Sequence, residues 1–318
     1  MKQQEPDLLA IERYLFSMNF TIPTTQIGSL FKTTKNRISI NNCGGIIYGN
    51  SRVGKTRAIH YLSRKLKVTY GSRLPIYSYC ATAHSVTEKN FYSTMLSAIG
   101  HEEPFSGTAE KMKLRLIGRM LEDARKSKYR RVIMFIDEAY LLDPKEYLWL
   151  IDIYNRLYNE DVIFTVLLFG TYELKQQKIQ FKRAGKDQII FRFMNAEVEF
   201  KGITSLSDMQ ICFSCLDEPF KIKGCNQEVI LSRLYFPQAY QDGYRLSSFA
   251  EDLWQAFENI KKKYNIDKND ILMKHFMDVV YYCLKHCGVF GKNIYLPTVE
   301  DWEKIIREIG YIECYTEE

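Results

Sequence analysis

The sequence predicts an α/β domain built on a parallel five-stranded sheet flanked by helices, followed by a smaller α-helical domain. Two changes of rhythm and one loop carry that reading. Between about residues 42 and 202, short apolar runs alternate with amphipathic helices of ten or more residues, the lengths that crossovers between parallel strands require. Beyond Gly202 the strand signals stop and helical periodicity takes over. A glycine-bordered loop joins the first strand of the α/β segment to its first helix.

The elements follow in order. A helix is expected over 7–18, then polar turns rich in Thr and Asn up to residue 42. Residues 44–48 form a short buried strand, and 56–67 a helix with Ala58, Ile59, Leu62 and Leu66 on one side. Residues 74–80 alternate as a strand; 90–99 and 109–126 read as helices, the second striped by Met112, Leu116, Met120 and Ala124. An apolar strand over 131–136 precedes a helix with a clear start: Asp143 as N-cap, Pro144 at the first position and Glu146 to complete a capping box. The continuous apolar run 162–169 suits the middle of a parallel sheet, and 196–200 supplies the fifth strand. Residues 207–245 read as loop-rich, followed by helices over 246–264, 270–286 and 298–309. The expected organisation is an N-terminal segment 1–42, the α/β domain 43–203, and a loop-rich insertion with a helical domain over 204–318.

The chain has 318 residues, 46% of them hydrophobic, enough for a real core and against disorder or fibrous repeats. No apolar run approaches the roughly eighteen residues of a membrane span. The N-terminus lacks a basic segment leading into an apolar one, so no signal peptide is read and the expectation is a cytoplasmic protein without a membrane role. The net charge is +6, unevenly placed: residues 111–131 hold nine Lys and Arg against Glu122 and Asp123, while 300–318 hold seven acids against Lys304 and Arg307. A basic stretch opposite an acidic tail suggests a polyanionic partner, and a solvated helix face is the plainer alternative. Of the eight cysteines, Cys212, Cys215 and Cys225, with Cys283 and Cys287, could be assembled into a zinc site; lacking a second matched pair, they read better as buried small hydrophobes.

Chemistry enters with Gly49-Asn50-Ser51-Arg52-Val53-Gly54-Lys55-Thr56, a G-x-x-x-x-G-K-T phosphate loop with a strand before it and a helix after it. Its glycines let backbone N–H groups turn inward at phosphate oxygens, and the helix beginning near Gly54 adds its positive end. Lys55 brings a point charge to the β and γ phosphates of ATP, and the Thr56 hydroxyl is a ligand for Mg²⁺. The strand over 131–136 ends in Asp137 and Glu138, at the edge of the sheet where nucleotide lies. Asp137 is expected to hold Mg²⁺ through water, and Glu138 to orient and deprotonate the attacking water. Paired acids here distinguish ATP hydrolases from small-molecule kinases, whose γ-phosphate must avoid water. Thr171, at the tip of the strand expected between the phosphate-loop and acid-pair strands, is placed to sense the γ-phosphate or lytic water, with a plain N-cap as its alternative.

With these residues in view, the chain resembles AAA+ ATPases of the TnsC/TniB kind, ATP-dependent regulators of DNA transposition. The likeness runs from about 42 to 246, through 48–57 (the loop and Arg57), 135–142, 170–174, 185–194, 200–203 and 235–246; the run Gly185-Lys-Asp-Gln-Ile-Ile-Phe-Arg-Phe-Met194 is its most particular part. The resemblance implies assembly with ATP as a hexameric ring or helical filament on duplex DNA. There the protein would link a TniQ/TnsD-like target selector to the transposase until hydrolysis dismantles the assembly. It also implies an arginine acting on the neighbour's ATP, at Arg192 with Arg183 as second choice, an intrachain salt bridge being the alternative for Arg192. DNA contacts would come from Thr87, Lys89, Lys111 and Lys113, on the stretch 83–89 and the basic helix, touching phosphates without reading bases. The second sensor arginine of the family is missing from 269–272, with Lys274 the nearest cation. Other readings stay open: an ORC-like initiator or secretion-associated ATPase with the same crevice, or a nucleotide switch or kinase without DNA.

Overall fold

The computed structural model describes residues 8–16, 20–221, 228–292 and 294–316. They divide into two compact units: Ser29–Ser51 with Lys55–Phe200, and the remainder, namely the residues up to Gly28, Arg52–Gly54 and those from Lys201 on. The expected N-terminal segment is thus split at Gly28, and the C-terminal boundary falls at Phe200.

In chain order the first unit's elements follow α1 (Leu8–Phe16), which belongs to the second unit, and α2 (Thr25–Ser39), whose first turn does so too. The helix α2 corrects the expectation of polar turns. Ile27, Leu30, Thr34 and Ile38 are all buried at helical spacing, and a threonine within the stripe and Lys, Asn and Thr around it hide the period. Then come β1 (Gly44–Tyr48), α3 (Lys55–Tyr70), β2 (Ile76–Cys80), α4 (Glu88–Ala98), α5 (Ala109–Arg125), β3 (Arg131–Asp137), α6 (Pro144–Tyr158), β4 (Ile163–Gly170), α7 (Tyr172–Arg183), α8 (Asp187–Phe193) and β5 (Glu197–Glu199).

The five strands form one sheet in the order β2-β3-β4-β1-β5, every pair parallel. The expected place of the 162–169 strand, between the phosphate-loop strand and the acid-pair strand, is the one β4 occupies. Both faces of the central strands are covered: all residues of β1 and β3 are buried, as a parallel sheet under helices demands. Phe135 and Phe169 meet edge to face on neighbouring strands, 5.9 Å between ring centres. The capping box forms as the sequence indicates, Asp143 accepting from the Lys145 amide at 2.8 Å and Glu146 from the Asp143 amide at 2.9 Å. The basic residue at the start of β3, Arg131, is buried and donates to the Thr165 hydroxyl at 2.7 Å and the Ile38 carbonyl at 3.1 Å, the last turn of α2. A cation at a helix C-terminus is favourably placed.

The second unit holds α9 (Leu206–Leu216), the hairpin β6 (Phe220–Lys221) and β7 (Glu228–Val229), α10 (Leu231–Tyr235), α11 (Pro237–Gln241), α12 (Ala250–Lys263), α13 (Met273–Cys287) and α14 (Val299–Glu308). The last three match the expected helices, α14 opening with a Thr298–Asp301 capping box. The loop-rich reading of 207–245 is corrected by α9, where Ser205 caps the start and Met209, Cys212, Phe213 and Leu216 are buried one turn apart. Ile11 and Leu15 of α1 join this core with Phe257, Phe276 and Trp302. Cys212, Cys283 and Cys287 are buried in it, and Cys225 lies outside the described residues. Among the described residues, no three His, Cys, Asp or Glu side chains are grouped to hold a metal ion, and no helix is long and apolar enough to cross a membrane.

Candidate active site

Parallel strands with crossover helices bring the carboxyl ends of β1, β3 and β4 to one edge of the sheet, and the motif residues meet there. Gly49 follows β1 directly. Its amide donates to the Gly170 carbonyl at 3.2 Å, and a Cβ on it would lie 2.0 Å from the Phe200 carbonyl oxygen, so only glycine lets the chain pass. The loop turns back through Arg52 (φ 62°) and Gly54 (φ 106°), and α3 begins at Lys55. Asn50 is half-buried, Ser51 exposed and Val53 buried; Arg57 is half-buried on the first turn of α3.

Lys55 is 6% exposed, and its ammonium donates to the carbonyls of Gly49 at 3.1 Å and Asn50 at 2.7 Å. Burial lowers its pKa, while the nearby charges of Glu138 and Asp137 work the other way. Thr56 donates its hydroxyl to Asp137 Oδ2 at 2.6 Å. The loop hydroxyl and the strand carboxylate, eighty-one positions apart, are therefore in direct contact. Asp137 Oδ1 accepts from the Glu138 amide at 3.1 Å. Glu138 itself sits in the left-handed region (φ 50°, ψ 37°) at the mouth of a 3₁₀ turn, Ala139–Leu141. A non-glycine residue pays about 1 kcal/mol or more for that backbone, a cost that recurs where a side chain must be aimed. Its Oε2 is buried and has no hydrogen-bond partner among the described residues. Burial first, then the charge of Asp137, raises the Glu138 pKa; Lys55 opposes and Glu173 adds to the rise.

This geometry fits a nucleoside triphosphate with its metal ion. A buried ammonium lies against the carbonyls of the first two loop residues, a hydroxyl and a carboxylate stand together as hard oxygen donors suited to Mg²⁺, and a second carboxylate has a lone pair unspent. Thr171 stands at the tip of β4 as the N-cap of α7 without accepting a hydrogen bond from the helix backbone; its hydroxyl donates instead to the side chain of Glu173 in the first turn of α7, Oε2 at 3.0 Å. Glu173 was not among the residues singled out, although it stands two positions past Thr171. Only the fold sets its charge beside Glu138.

The other expected residues are engaged elsewhere, except Lys274, whose amide donates to the Arg52 carbonyl of the phosphate loop at 3.3 Å. Arg192, on α8, donates to the Gln188 carbonyl at 3.4 Å and lies over the Tyr154 ring at 5.5 Å. No carboxylate pairs with it among the described residues, so the salt-bridge alternative does not arise there. Arg183 is exposed in the last turn of α7. Thr87 caps α4, accepting from the Asn90 amide at 3.2 Å, and Lys89 and Lys111 are exposed. Lys113 departs from the expectation of a free cation. Its ammonium is enclosed by Glu110 at 2.7 Å, Asp152 at 3.3 Å and Glu88 at 3.7 Å, with only 11% of the side chain exposed. Lys274 is paired with Asp278 across one helical turn.

Residues 42–177 match the family model of an AAA domain, a span that takes in the phosphate loop, the acid pair and Thr171. No curated protein matches the chain. Among solved structures, the ORC2 protein of Aeropyrum pernix in ADPNP and ADP complexes is similar at 12% identity and a TM-score of 0.51, covering 96% of this chain and 73% of that one. Domain III of the Thermotoga maritima replication initiation protein DnaA matches at 12% identity and a TM-score of 0.47, over 92% of this chain and 96% of that one. The Aeropyrum pernix ORC1 protein in complex with DNA matches at 13% identity and a TM-score of 0.42, over 91% and 82%. The first likeness and the AAA-domain match agree on the fold: an AAA+ P-loop domain with a five-stranded parallel sheet flanked by helices, and a helical C-terminal region consistent with a lid.

Proposed function

We propose that this chain is an Mg²⁺-dependent ATPase that assembles on duplex DNA and regulates transposition. The observation that carries the enzymatic part is the Thr56–Asp137 hydrogen bond of 2.6 Å, with Lys55 and Glu138 beside it. The amides of 50–56 and the Lys55 ammonium grip the triphosphate, and Arg57 adds charge behind them. Thr56 and Asp137 hold Mg²⁺, which when bound offsets charge on the transferring phosphoryl group. Glu138, with its free Oε2, takes a proton from the attacking water, an effect worth about 10²–10⁴ in rate. Thr171 senses the γ-phosphate end of the site. Arg192, or Arg183 in its place, reaches a neighbouring subunit's ATP and makes hydrolysis depend on assembly; the absence of a carboxylate on Arg192 among the described residues supports that role.

The DNA and transposition parts rest on the resemblance over 42–246 and on the exposed cations Lys89 and Lys111 with the hydroxyl of Thr87. In this reading a hexameric ring or filament on DNA joins a TniQ/TnsD-like selector to the transposase in the cytoplasm. Sedimentation with ATP or a slowly hydrolysed analogue, with and without duplex DNA, tests it. Nucleotide-dependent polymers on DNA are expected; Lys55→Ala abolishes binding and assembly, and Glu138→Gln binds ATP but traps the DNA-bound oligomer. A nucleotide-bound monomer indifferent to DNA would refute the DNA role, and normal turnover in Glu138→Gln would remove Glu138 from catalysis. An initiator-like or secretion-associated ATPase would share the crevice, and would differ in giving no response to a transposase and selector.

A further inference from the structure

The carboxylate of Glu138 is aimed by a backbone turn, and that turn is held from outside chiefly by the side chain of Gln177, with the Tyr147 hydroxyl 3.4 Å from the Ala139 carbonyl. Residues 138–142 leave β3 through the left-handed Glu138 and the 3₁₀ turn, closed by Leu141 N–H to the Glu138 carbonyl at 3.0 Å and Leu142 N–H to the Ala139 carbonyl at 3.1 Å. Two carbonyls of this segment receive nothing from the turn itself. Both are taken by the amide nitrogen of Gln177 on α7, which donates to the Tyr140 carbonyl at 3.2 Å and the Leu142 carbonyl at 2.9 Å. Because carbonyls only accept, the amide nitrogen must face the turn and the oxygen must face away. That oxygen accepts from the hydroxyl of Tyr147 at 2.8 Å, and Tyr147 is fully buried. Both N–H donors of the amide and its oxygen are thus used, and the network is anchored in the core.

The helix that carries Gln177 starts at the tip of β4. Thr171 precedes its first residue, and Glu173, whose charge bears on Glu138, lies one turn before Gln177. We infer that Gln177 is a positioning residue for ATP hydrolysis: it clamps the turn behind Glu138 to the helix behind Thr171, fixing the catalytic carboxylate relative to the γ-phosphate end of the site. This rests on the proposed ATPase reading. Removing the clamp leaves the Tyr140 and Leu142 carbonyls without their donor and lets the strained Glu138 backbone relax towards an ordinary conformation. A displacement of about 1 Å at such a group is enough for a 10²-fold loss of rate. The hydrogen bonds of the clamp go to Tyr140, Leu142 and Tyr147 and not to the phosphate loop, so nucleotide affinity is expected to be kept.

The test is Gln177→Met, which keeps length and volume but cannot donate, measured beside wild type, Glu138→Gln and the double variant. Single-turnover ATP hydrolysis is expected to fall about 10- to 100-fold in Gln177→Met, with nucleotide affinity within about twofold. In the Glu138→Gln background the same substitution is expected to cost less than about twofold, because it acts through the carboxylate already removed. Equal losses in both backgrounds, or a loss of affinity that matches the loss of rate, would overturn the inference in favour of a merely structural side chain. If Gln177→Met does not fold, Tyr147→Phe removes the hydroxyl that donates to the Gln177 amide oxygen and also lies 3.4 Å from the Ala139 carbonyl of the same turn, and a smaller fall that again disappears in the Glu138→Gln background is expected; an unchanged rate would count against the clamp. Wild-type protein that hydrolyses no ATP under any assembly condition would instead sink the ATPase reading, so the two failures are distinct.

Discussion

Gly49→Ala tests whether the first residue of the phosphate loop is fixed by contact or merely by family habit. An added Cβ would stand 2.0 Å from the Phe200 carbonyl oxygen and 3.1 Å from its carbon. A relaxed carbon–oxygen contact needs about 3.3 Å, so more than about 1 Å of backbone movement is required. The carbonyl cannot simply retreat, because the Phe200 amide is bonded to the Tyr48 carbonyl at 2.7 Å, one residue before Gly49, and closes the β1–β5 pairing. Either that pairing loosens or the loop lifts and takes the Gly49 carbonyl from Lys55, which donates to it at 3.1 Å. Overpacking of this kind costs about 1–3 kcal/mol, and a loop displaced by about 1 Å loses about 10² in rate. Urea unfolding at unchanged slope gives the first quantity, and calorimetric titration with ATP analogue shows the loss of affinity. A midpoint within error of wild type together with affinity within twofold would refute the reasoning. Gly118→Ala is the internal control of opposite sign: Gly118 is exposed within α5, and nothing lies within 4 Å of its would-be Cβ.

For that control, a gain of about 0.5–1 kcal/mol is expected from the helix preference of alanine, read from the urea midpoint. Glu138→Gln should stabilise the protein at neutral pH as well as slow turnover by about 10²–10⁴. The folded state raises this carboxyl's pKa above its ordinary 4.5 through burial and the charge of Asp137, so its favourable contribution exists below that value and is lost as pH rises through the folded pKa. The amide removes the buried charge, and the advantage in urea midpoint at pH 7.5 should vanish by about pH 4; a midpoint at pH 7.5 no higher than wild type would contradict this. Glu173→Gln takes away one of the charges holding the Glu138 pKa up, so the acidic limb of the hydrolysis rate should shift to lower pH. An unmoved limb would mean that Glu173 does not act on Glu138.

The parts of the site that could be read from sequence are those whose signals are local. A five-residue apolar run, a loop with fixed glycines and two acids at a strand end each carry their meaning within about ten positions, and the sheet order then puts them together. What escaped depends on distant partners. Nothing near Gly49 says that the Phe200 carbonyl occupies its side-chain space, and nothing near Lys113 announces Glu88 on α4 and Asp152 on α6. The left-handed backbone of Glu138 is equally silent, since glutamate has no preference for it. The missed helices failed for another reason. In α2 and α9 the buried stripe passes through Thr34 and Cys212, residues that dilute the apolar period while packing as small apolar groups.

The same distinction decides how the basic stretch 111–131 should be counted. Nine cations in twenty-one residues look like a surface for a polyanion, yet the fold spends most of them internally. Lys113 faces three carboxylates; Arg119 pairs with Asp123, Arg125 with Glu160 and Lys126 with Glu122. Arg115 is turned onto the carbonyls of Glu103 and Ser106, Arg130 onto that of Glu160, and Arg131 is buried. Lys111 and Lys128 are left facing solvent without a carboxylate among the described residues. Each phosphate neutralised on duplex DNA contributes about −0.9 to the slope of log affinity against log salt. Nine free cations would therefore give about −8 per subunit, whereas two from this stretch, with Lys89 beside them, give about −2 to −3. A measured slope near the larger figure would mean that these ion pairs open on DNA. The smaller one is the value expected of the proposed DNA-bound assembly, each subunit adding few phosphate contacts of its own.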